Sequence, residues 1–331
     1  MTETHITVVT VSYKSAELTK NSLSSVFEQK TADAALNIKA IVVDNASGDA
    51  EVIQAFVNAQ GWTDWVTVIT APKNGGFGYG NNLAFRYALA NWEVDFFHLL
   101  NPDAVARNNA FKPLVAFMKA NAKVGVVGSQ LENIEGVVES SAHRFHSPIN
   151  ELIESARLGI ISKLLHHHDL TPPIQDVPFE CDWVSGASMM IRKEVLDQIG
   201  FFDENYFLYF EEVDLFYRLQ KMGWQTWYVP DSRVMHIEGA STGIKLVRRR
   251  PQYWYESRRR LFVKLYGVLG LMAADVLWLI GRVSYLTRRY FKLGAQKPNN
   301  DPKWFMFDLL YGDIKSIATF KVWQLKSEKV D

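Results

Sequence analysis

The chain contains a single cysteine, Cys181, so it can form no internal disulfide, and a reducing compartment suits it. Excess charge of either sign is also missing. Its 36 lysines and arginines balance 36 aspartates and glutamates, which removes any general attraction to nucleic acid. The N-terminus MTETHITVVTVSYKS lacks a basic region followed by an apolar segment and a cleavage site, and enters a β-type run at once, so the expected location is the cytoplasm. No uninterrupted run of about twenty apolar residues occurs. The nearest approach, Leu265 to Gly281, is shorter and carries Asp275. Internal repeats and low-complexity tracts are absent as well.

What is present is an ordinary folding composition. With 331 residues, 48% of them hydrophobic, the chain can bury the core of one large α/β domain with an appendage, or of two domains. The balanced charge hides a local excess. From Lys245 to Lys292 there are twelve basic side chains against Glu256 and Asp275.

The first half alternates strand-like and helix-like segments. His5 to Val11, Ile38 to Val43, Val66 to Thr70, Asp95 to Leu100 and Val124 to Gly128 read as strands. Ala16 to Gln29, Ala50 to Ala59, Gly80 to Asn91 and Ala110 to Asn121 read as the helices between them. This alternation predicts a mainly parallel sheet with helices on both faces. Ligands of such sheets bind beyond the carboxyl ends of the strands. The polar residues there, Ser12, Asp44, Asn45, Lys73, Asn74, Asn101 and Asp103, are therefore the candidate binding set.

Each candidate has a functional and a purely structural reading. Asp44 opens DNASGD, where a carboxylate can accept from a nucleobase or ribose, or can serve an Asx turn or helix cap. The run KNGGFGYGNN, Lys73 to Asn82, is a glycine-rich loop opening a helix, so its N–H groups can face phosphate. It is not a dinucleotide fingerprint. In Asn101-Pro102-Asp103 the proline keeps Asn101 extended and projects Asp103 from the strand end. A carboxylate there can hold a divalent ion, with His236 completing the shell, or His236 is a satisfied interior histidine. His166, His167 and His168 precede Pro172 and Pro173 and read as a solvated turn. Ser185, Gly186 and Ala187, in WVSGASMMI, are small enough for backbone to approach a ligand.

The densest chemistry lies in FFDENYFLYFEEVDLFYRL, Phe201 to Leu219. Glu211, Glu212 and Asp214 fall in one turn inside an aromatic frame. Such surroundings raise a carboxylate's pKa and suit it to general-base work. The alternative is a helix first turn that favours negative charge.

Taken in order, VVTVSYKS, VVDNASGD, PKNGGFGYGNN, LLNPD, WVSGASMMIRKEV, FDENYFLYFEEVDLFYRL and VMHIEGAS resemble the inverting family 2 glycosyltransferases of GT-A fold, in their bacterial rhamnosyltransferase-like branch. The likeness spans roughly residues 5 to 245. It implies a nucleotide-diphospho-sugar transferase fold, with a catalytic domain over 1–245 and a basic amphipathic helical region over 246–331. Within the first, 1–105 would bind the nucleotide sugar and 106–245 the acceptor, with an irregular insert at 139–180. The implied reaction moves a sugar, L-rhamnose from dTDP-L-rhamnose, onto a lipid-linked or polysaccharide hydroxyl with inversion. A different donor such as UDP-galactofuranose, or a silent nucleotide-sugar-binding subunit, are the competing readings.

By the same resemblance Glu212 is the base, with Glu211 as its alternate and Asp214 in support. Ser12, Tyr13, Asp44, Asn45, Lys73, Asn74, Gly76, Phe77, Asn82, Asn101 and Asp103 would surround the donor. Asp103 and His236 would hold Mg²⁺ or Mn²⁺, and Trp183, Ser185, Gly186 and Ala187 would line the cleft. Asn101 stands where the family's metal motif usually has a first acid, and Glu211-Glu212 where Glu-Asp is common. The tail is expected to form one or two helices lying on an anionic membrane at the inner face of a bacterial plasma membrane, basic side chains toward the head groups. Its last segment, Pro302 to Leu325, would cover this tail or a twin subunit.

Overall fold

The computed structural model describes residues 3–237, 249–293 and 301–325. The end of the VMHIEGAS motif, and residues 245–248 of the basic stretch with the expected boundary at 245, lie outside the described residues. The chain divides into two compact units, one of residues 1–143 and 173–243, the other of 144–172 and 244–329.

The first unit begins with β1 (Thr4–Ser12), α1 (Ala16–Ala32), β2 (Leu36–Asp44), α2 (Ala50–Ala59), β3 (Val66–Thr70), α3 (Gly76–Asn91) and β4 (Phe96–Leu100). β1 pairs in parallel with β2 on one side and β4 on the other, and β2 pairs in parallel with β3. The chain therefore reverses its direction of growth at β1. The crevice at the carboxyl ends of β1 and β4 is the switch point where such sheets bind ligands.

Beyond β4 come β5 (Ala104–Ala106), α4 (Phe111–Ala120), β6 (Val124–Glu132), β7 (Val138–Glu139) and β8 (Ala142–His143). The second unit's α5 (Pro148–Ala156) and α6 (Gly159–Leu164) intervene, and the first unit resumes with β9 (Phe179–Cys181), β10 (Trp183–Val184), β11 (Ser188–Arg192), α7 (Lys193–Ile199), α8 (Glu211–Lys221) and β12 (Gln225–His236). The sheet order is β3-β2-β1-β4-β11-β6-β12-β5, with β11 antiparallel to both neighbours. The sheet is thus mixed, a parallel half continued by a half with antiparallel members.

Two features of this frame place functional residues. The buried stripe of α1 is polar: Ser22 Oγ donates to Asn101 O (3.3 Å), Ser25 Oγ accepts from Ala106 N (3.0 Å), and Gln29 Nε2 donates to Arg107 O (2.9 Å). These bonds clamp the segment that carries Asp103. β12 runs parallel to β6, slips register between Val229 and Arg233, and ends antiparallel to β5 with His236 opposite Ala104. Pro230 falls within that slip, where a strand tolerates a residue without an N–H.

The segment expected as one insert, 139–180, is divided. Residues 144–172 carry α5 and α6 and cluster with α9 (Gln252–Tyr290), α10 (Phe305–Ala318) and α11 (Lys321–Gln324). Ser147 caps α5 reciprocally with Asn150, and Pro148 starts it, a strong local start signal. His166–His168 form a single exposed 3-10 turn. α9 is long and apolar enough to cross a membrane by length and composition, which exceeds what Leu265 to Gly281 alone suggests. It is broken at Gly267, whose φ of 72° and ψ of −178° are non-helical.

The tail's arginines are not all turned outward as expected. Arg258, Arg260 and Arg282 are buried, because carboxylates meet two of them inside the unit. Arg258 Nε bonds Glu151 Oε1 (3.0 Å), and its NH1 bonds Asp275 Oδ1 (3.1 Å) and Asp313 Oδ2 (3.2 Å). Arg282 NH2 reaches Asp301 Oδ2 at 2.6 Å. Arg258 thus ties α5, both segments of α9, and α10 to one guanidinium. Removing one partner of a buried ion-pair network leaves the others desolvated and uncompensated. Arg258→Met is expected to lower the stability of this unit by roughly 3–5 kcal/mol, read in urea unfolding followed by circular dichroism.

Candidate active site

The glycine-rich loop is built against the carboxyl end of β2. Asn45 Nδ2 donates to Asn74 Oδ1 (3.0 Å) and Gly76 O (3.0 Å), and its Oδ1 accepts from Gly75 N (3.3 Å). Helix α3 begins inside the glycine run, four residues earlier than Gly80, because Gly76 can take a φ of +89°. Phe77 N then donates to Phe207 O at 3.2 Å, which joins this loop to the aromatic segment before α8. Lys73 is exposed and lies 5.4 Å from the Tyr79 ring.

On the other side of the crevice, Asn101 N donates to Ala187 O (3.0 Å), so residues 185–187 lie beside the end of β4. Ser185 N donates to Ser141 O (2.8 Å), and Trp183 stacks on His143 with centroids 4.2 Å apart. Burial lowers the His143 pKa to about 4, so that ring is neutral. Gly186 sits where a Cβ would lie 3.3 Å from the Phe77 ring and 4.0 Å from Glu212 Oε1. The small residues of WVSGAS therefore meet the glycine-rich loop and the acidic turn together.

That acidic turn opens α8. Tyr209 and Phe210 both take left-handed backbone, φ 69° and 70°, directly before Glu211. Bulky residues avoid this region, at a cost of about 1–3 kcal/mol each. Arg218 holds the turn: its Nε donates to Asp214 Oδ2 (2.9 Å), and its NH2 to Phe201 O (2.7 Å). Asp214, expected in support of the base, is held in this clamp. Arg218 itself was missed, although its i,i+4 spacing from Asp214 was a readable signal.

Glu211 is buried and Glu212 partly so, and each has an Oε2 that is buried without a hydrogen-bond partner among the described residues. Burial raises the pKa of Glu211 well above the carboxylate range, and the neighbouring Glu212 charge raises it further. Burial also raises Glu212. Both carboxyl groups therefore hold their protons to higher pH than ordinary carboxylates do, Glu211 the more strongly. Glu212 Oε1 faces Gly186, which makes it the member toward the cleft.

The antiparallel return of β12 on β5 brings together Asp103 and His236, far apart in sequence. His236 Nε2 lies 3.4 Å from Asp103 Oδ1, the carboxylate side chain being 3% exposed. One carboxylate and one imidazole form a mixed O/N donor pair of the kind manganese accepts. Among the described residues no group of three or more His, Cys, Asp or Glu surrounds one point.

Three expected donor contacts are engaged elsewhere. Asp44 is fully buried, and its oxygens accept from Ser47 N (2.9 Å), Ser47 Oγ (2.6 Å), Gly48 N (3.1 Å) and Ala50 N (3.2 Å). Burial alone would raise its pKa, but these bonds together outweigh it and hold the group below its ordinary value. Ser12 is buried and bonds Ser15, Asp49 and Thr19, fixing the start of α1, while the adjacent Tyr13 is exposed. Asn82 is buried and exchanges bonds with Phe202 N (3.0 Å) and O (2.9 Å), so it anchors the 202–204 turn. In each case a short polar side chain at an element end is claimed by nearby backbone.

A mixed sheet with its switch-point crevice, a glycine loop at its rim and an acid pair facing it define a GT-A-type nucleotide-diphospho-sugar transferase fold. The sequence profile of the glycosyltransferase-like family 2 matches residues 4–257, and the chain belongs to that family. It is a glycosyltransferase. Over 223 residues it is 26% identical to the N-acetylglucosaminyl-diphospho-decaprenol L-rhamnosyltransferase of Mycobacterium tuberculosis, covering 62% of this chain and 68% of that one. It is 24% identical over 165 residues to the rhamnosyltransferase WbbL of Escherichia coli, covering 49% and 60%. The Pyrobaculum calidifontis mannosyltransferase PcManGT, solved with GDP-Man and Mn²⁺, matches with a TM-score of 0.54 at 14% identity, over 98% of this chain and 84% of its own. S. aureus TarS 1-349 matches with a TM-score of 0.51 at 17% identity, over 97% and 83%. At such identities the likeness is one of fold.

Gly76 is the tightest point of this site. A Cβ there would fall 1.6 Å from Phe207 O, on a backbone that side chains avoid. Gly76→Ala should destabilise the protein by roughly 2–4 kcal/mol, combining strain with overpacking, and reduce transfer by parting the loop from the 207–212 turn. Thermal unfolding and an initial-rate assay check both outcomes.

Proposed function

We propose that the protein is an inverting rhamnosyltransferase, moving L-rhamnose from dTDP-L-rhamnose to a hydroxyl of a lipid-linked or polysaccharide acceptor. The observation that carries the reading of mechanism is the Glu211–Glu212 pair, desolvated and without an ion-pair partner among the described residues, with Glu212 Oε1 toward Gly186. The two relatives named as rhamnosyltransferases support the choice of sugar. Support for a lipid-linked acceptor comes from the first of them, whose name specifies a diphospho-decaprenol substrate.

In this mechanism the acceptor hydroxyl gives its proton to Glu212 as its oxygen forms a bond to the anomeric carbon. The bond to the nucleotide diphosphate breaks on the opposite face, taking the electron pair with it, so the configuration inverts. Glu211, more strongly destabilised as an anion, holds its proton while Glu212 ionises. Lys73, Asn74, Gly76 and Phe77 form the donor side, with Asn45 and Asp44 setting the loop's shape. Asn101 and Asp103 lie at the β4 end, and Trp183, Ser185, Gly186 and Ala187 on the acceptor side.

Asp103 and His236 would hold a divalent ion, Mg²⁺ or Mn²⁺, whose chemistry is to neutralise the charge of the leaving diphosphate. The solved fold relatives containing Mn²⁺ support this choice. The membrane-facing reading rests on α9 beyond Gly267. There Leu269, Val276, Ile280 and Val283 form an exposed apolar stripe, with Leu269 at 79% exposure, while Asp275 and Arg282 point inward to partners. A hydrocarbon face outward with charges inside suits docking on the inner surface of a membrane.

Glu212→Gln should reduce kcat by roughly 10²- to 10⁴-fold while dTDP-L-rhamnose still binds. Glu211→Gln should keep most of the activity, because a neutral amide stands in for a protonated acid. In both wild type and Glu211→Gln, kcat/KM should fall as pH drops through the raised Glu212 pKa, since the base must be ionised. The reverse ranking of the two variants would make Glu211 the base. For the donor, a thermal-shift panel of nucleotide sugars with MnCl₂ should give the largest rise with dTDP-L-rhamnose, and His236→Ala should remove the part of that rise that needs metal. A larger rise with UDP-galactofuranose would overturn the choice of sugar.

A further inference from the structure

The C-terminal helical unit contains a cavity of about 590 Å³ between the first turns of α9 and the length of α10. Five cations line it, Arg249, Arg250, Arg259, Lys315 and Lys321, against two carboxylates, Glu256 and Asp308. Arg249 is committed to Asp308, with Nε 2.7 Å from Oδ2 and NH2 on Oδ1. Arg259 gives Nε to Asp313 Oδ1 at 2.6 Å. The other three carry the surplus. Arg250 lies 4.8 Å from the Trp254 ring centroid, and its buried Nε has no hydrogen-bond partner among the described residues. Lys315 and Lys321 form no ion pair among the described residues. A desolvated guanidinium N–H without an acceptor is costly, and phosphate oxygens match its geometry.

The rim of the cavity is apolar. Phe307 and Tyr311 line it, stack with centroids 5.2 Å apart at 7°, and are each 54% exposed. Trp304 and Ile314 are exposed at the i−3 and i+7 positions from Phe307, so one side of α10 presents a ridge of four large apolar groups. Soluble surfaces rarely show such a ridge without a partner. A cationic hollow beside it has the polarity of an amphiphile's head and tail, and amphipathic aromatics favour that boundary.

We infer that this cavity is a lipid-phosphate site, which takes the phosphate or diphosphate head of a membrane amphiphile while the first part of its chain lies on Phe307 and Tyr311. The inference rests on the membrane-facing reading and adds a defined headgroup site to it. Lipid is the source, rather than free phosphate, because the ridge would otherwise contribute nothing.

Calorimetric titration of the full chain with dihexanoylphosphatidic acid, kept below micelle formation, should show one saturable site. Inorganic phosphate should bind roughly tenfold more weakly or worse, and dihexanoylphosphatidylcholine should not bind. The Arg250→Gln/Lys315→Gln double variant should lose roughly tenfold or more in affinity for the phosphatidic acid, with an unchanged melting curve. Equal affinity in the double variant, no saturable binding by the wild type, or inorganic phosphate binding as well as the lipid would each overturn the site. The stripe variant Ile280→Glu/Val283→Glu should stop sedimenting with phosphatidylglycerol vesicles yet bind the short-chain lipid normally. Wild type that binds the short-chain lipid without sedimenting with vesicles would sink the membrane reading and leave the headgroup site standing.

Discussion

The first unit depends on keeping two adjacent glutamates out of water without, among the described residues, an ion-pair partner for either. Desolvating carboxylates beside one another disfavours their charged forms, and burial around α8 raises the pKa of both. The available cation, Arg218, is engaged by Asp214 and by the carbonyl of Phe201. It therefore fixes the turn without neutralising the pair. The left-handed Tyr209 and Phe210 swing the chain so that Glu211 enters the helix at its first position. Strain of this kind persists only where packing over-determines it. Phe207 O against Phe77 N, Asn82 against Phe202, and Arg218 against 199–201 supply that packing.

The site is coherent because every part of it is tied to a strand end. Asn45 links the β2 end to the glycine loop, Phe77 links that loop to the 207–212 turn, Gly186 links the turn to β11, and Ala187 links β11 to the β4 end at Asn101. Asp103 and His236 follow from the same frame, one held by the polar stripe of α1 and the other delivered by β12. The binding geometry thus rests on backbone hydrogen bonds, which makes it insensitive to most surface substitutions and sensitive to a few small residues.

Much of this was legible in sequence because its signals are local. The alternation from β1 to α4, the glycine loop and the acid cluster each occupy short windows with a fixed period or composition. Pairings between distant segments were not legible. Nothing in NPDAVA or SRVMH states that β5 and β12 lie side by side, so the Asp103–His236 contact stood only as one of two open readings of His236, strengthened by the resemblance. The local partners of Ser12, Asp44 and Asn82 were not legible for a related reason. Short polar side chains at strand and helix ends look the same in sequence whether they face a ligand or their own backbone, and here the backbone claims them.

The C-terminal arginines illustrate the same limit with a larger consequence. A run such as RRRLFVKLYG reads as charge for the solvent side, because an isolated arginine is costly to bury. Burial becomes tolerable only when carboxylates from separate segments converge, and Glu151, Asp275 and Asp313 do so on Arg258 from three helical segments. With those charges and the buried Leu271, Ala274, Trp278 and Tyr285 filling the interior, the remaining apolar residues of α9 lie on the outside. The exposed stripe from Leu269 to Leu286 is therefore the counterpart of the buried ion-pair network: the charges inside and the hydrocarbon outside are two results of one packing choice. In water alone that choice is unfavourable on both counts. Next to a bilayer its outer half becomes favourable, because apolar area then leaves water as well.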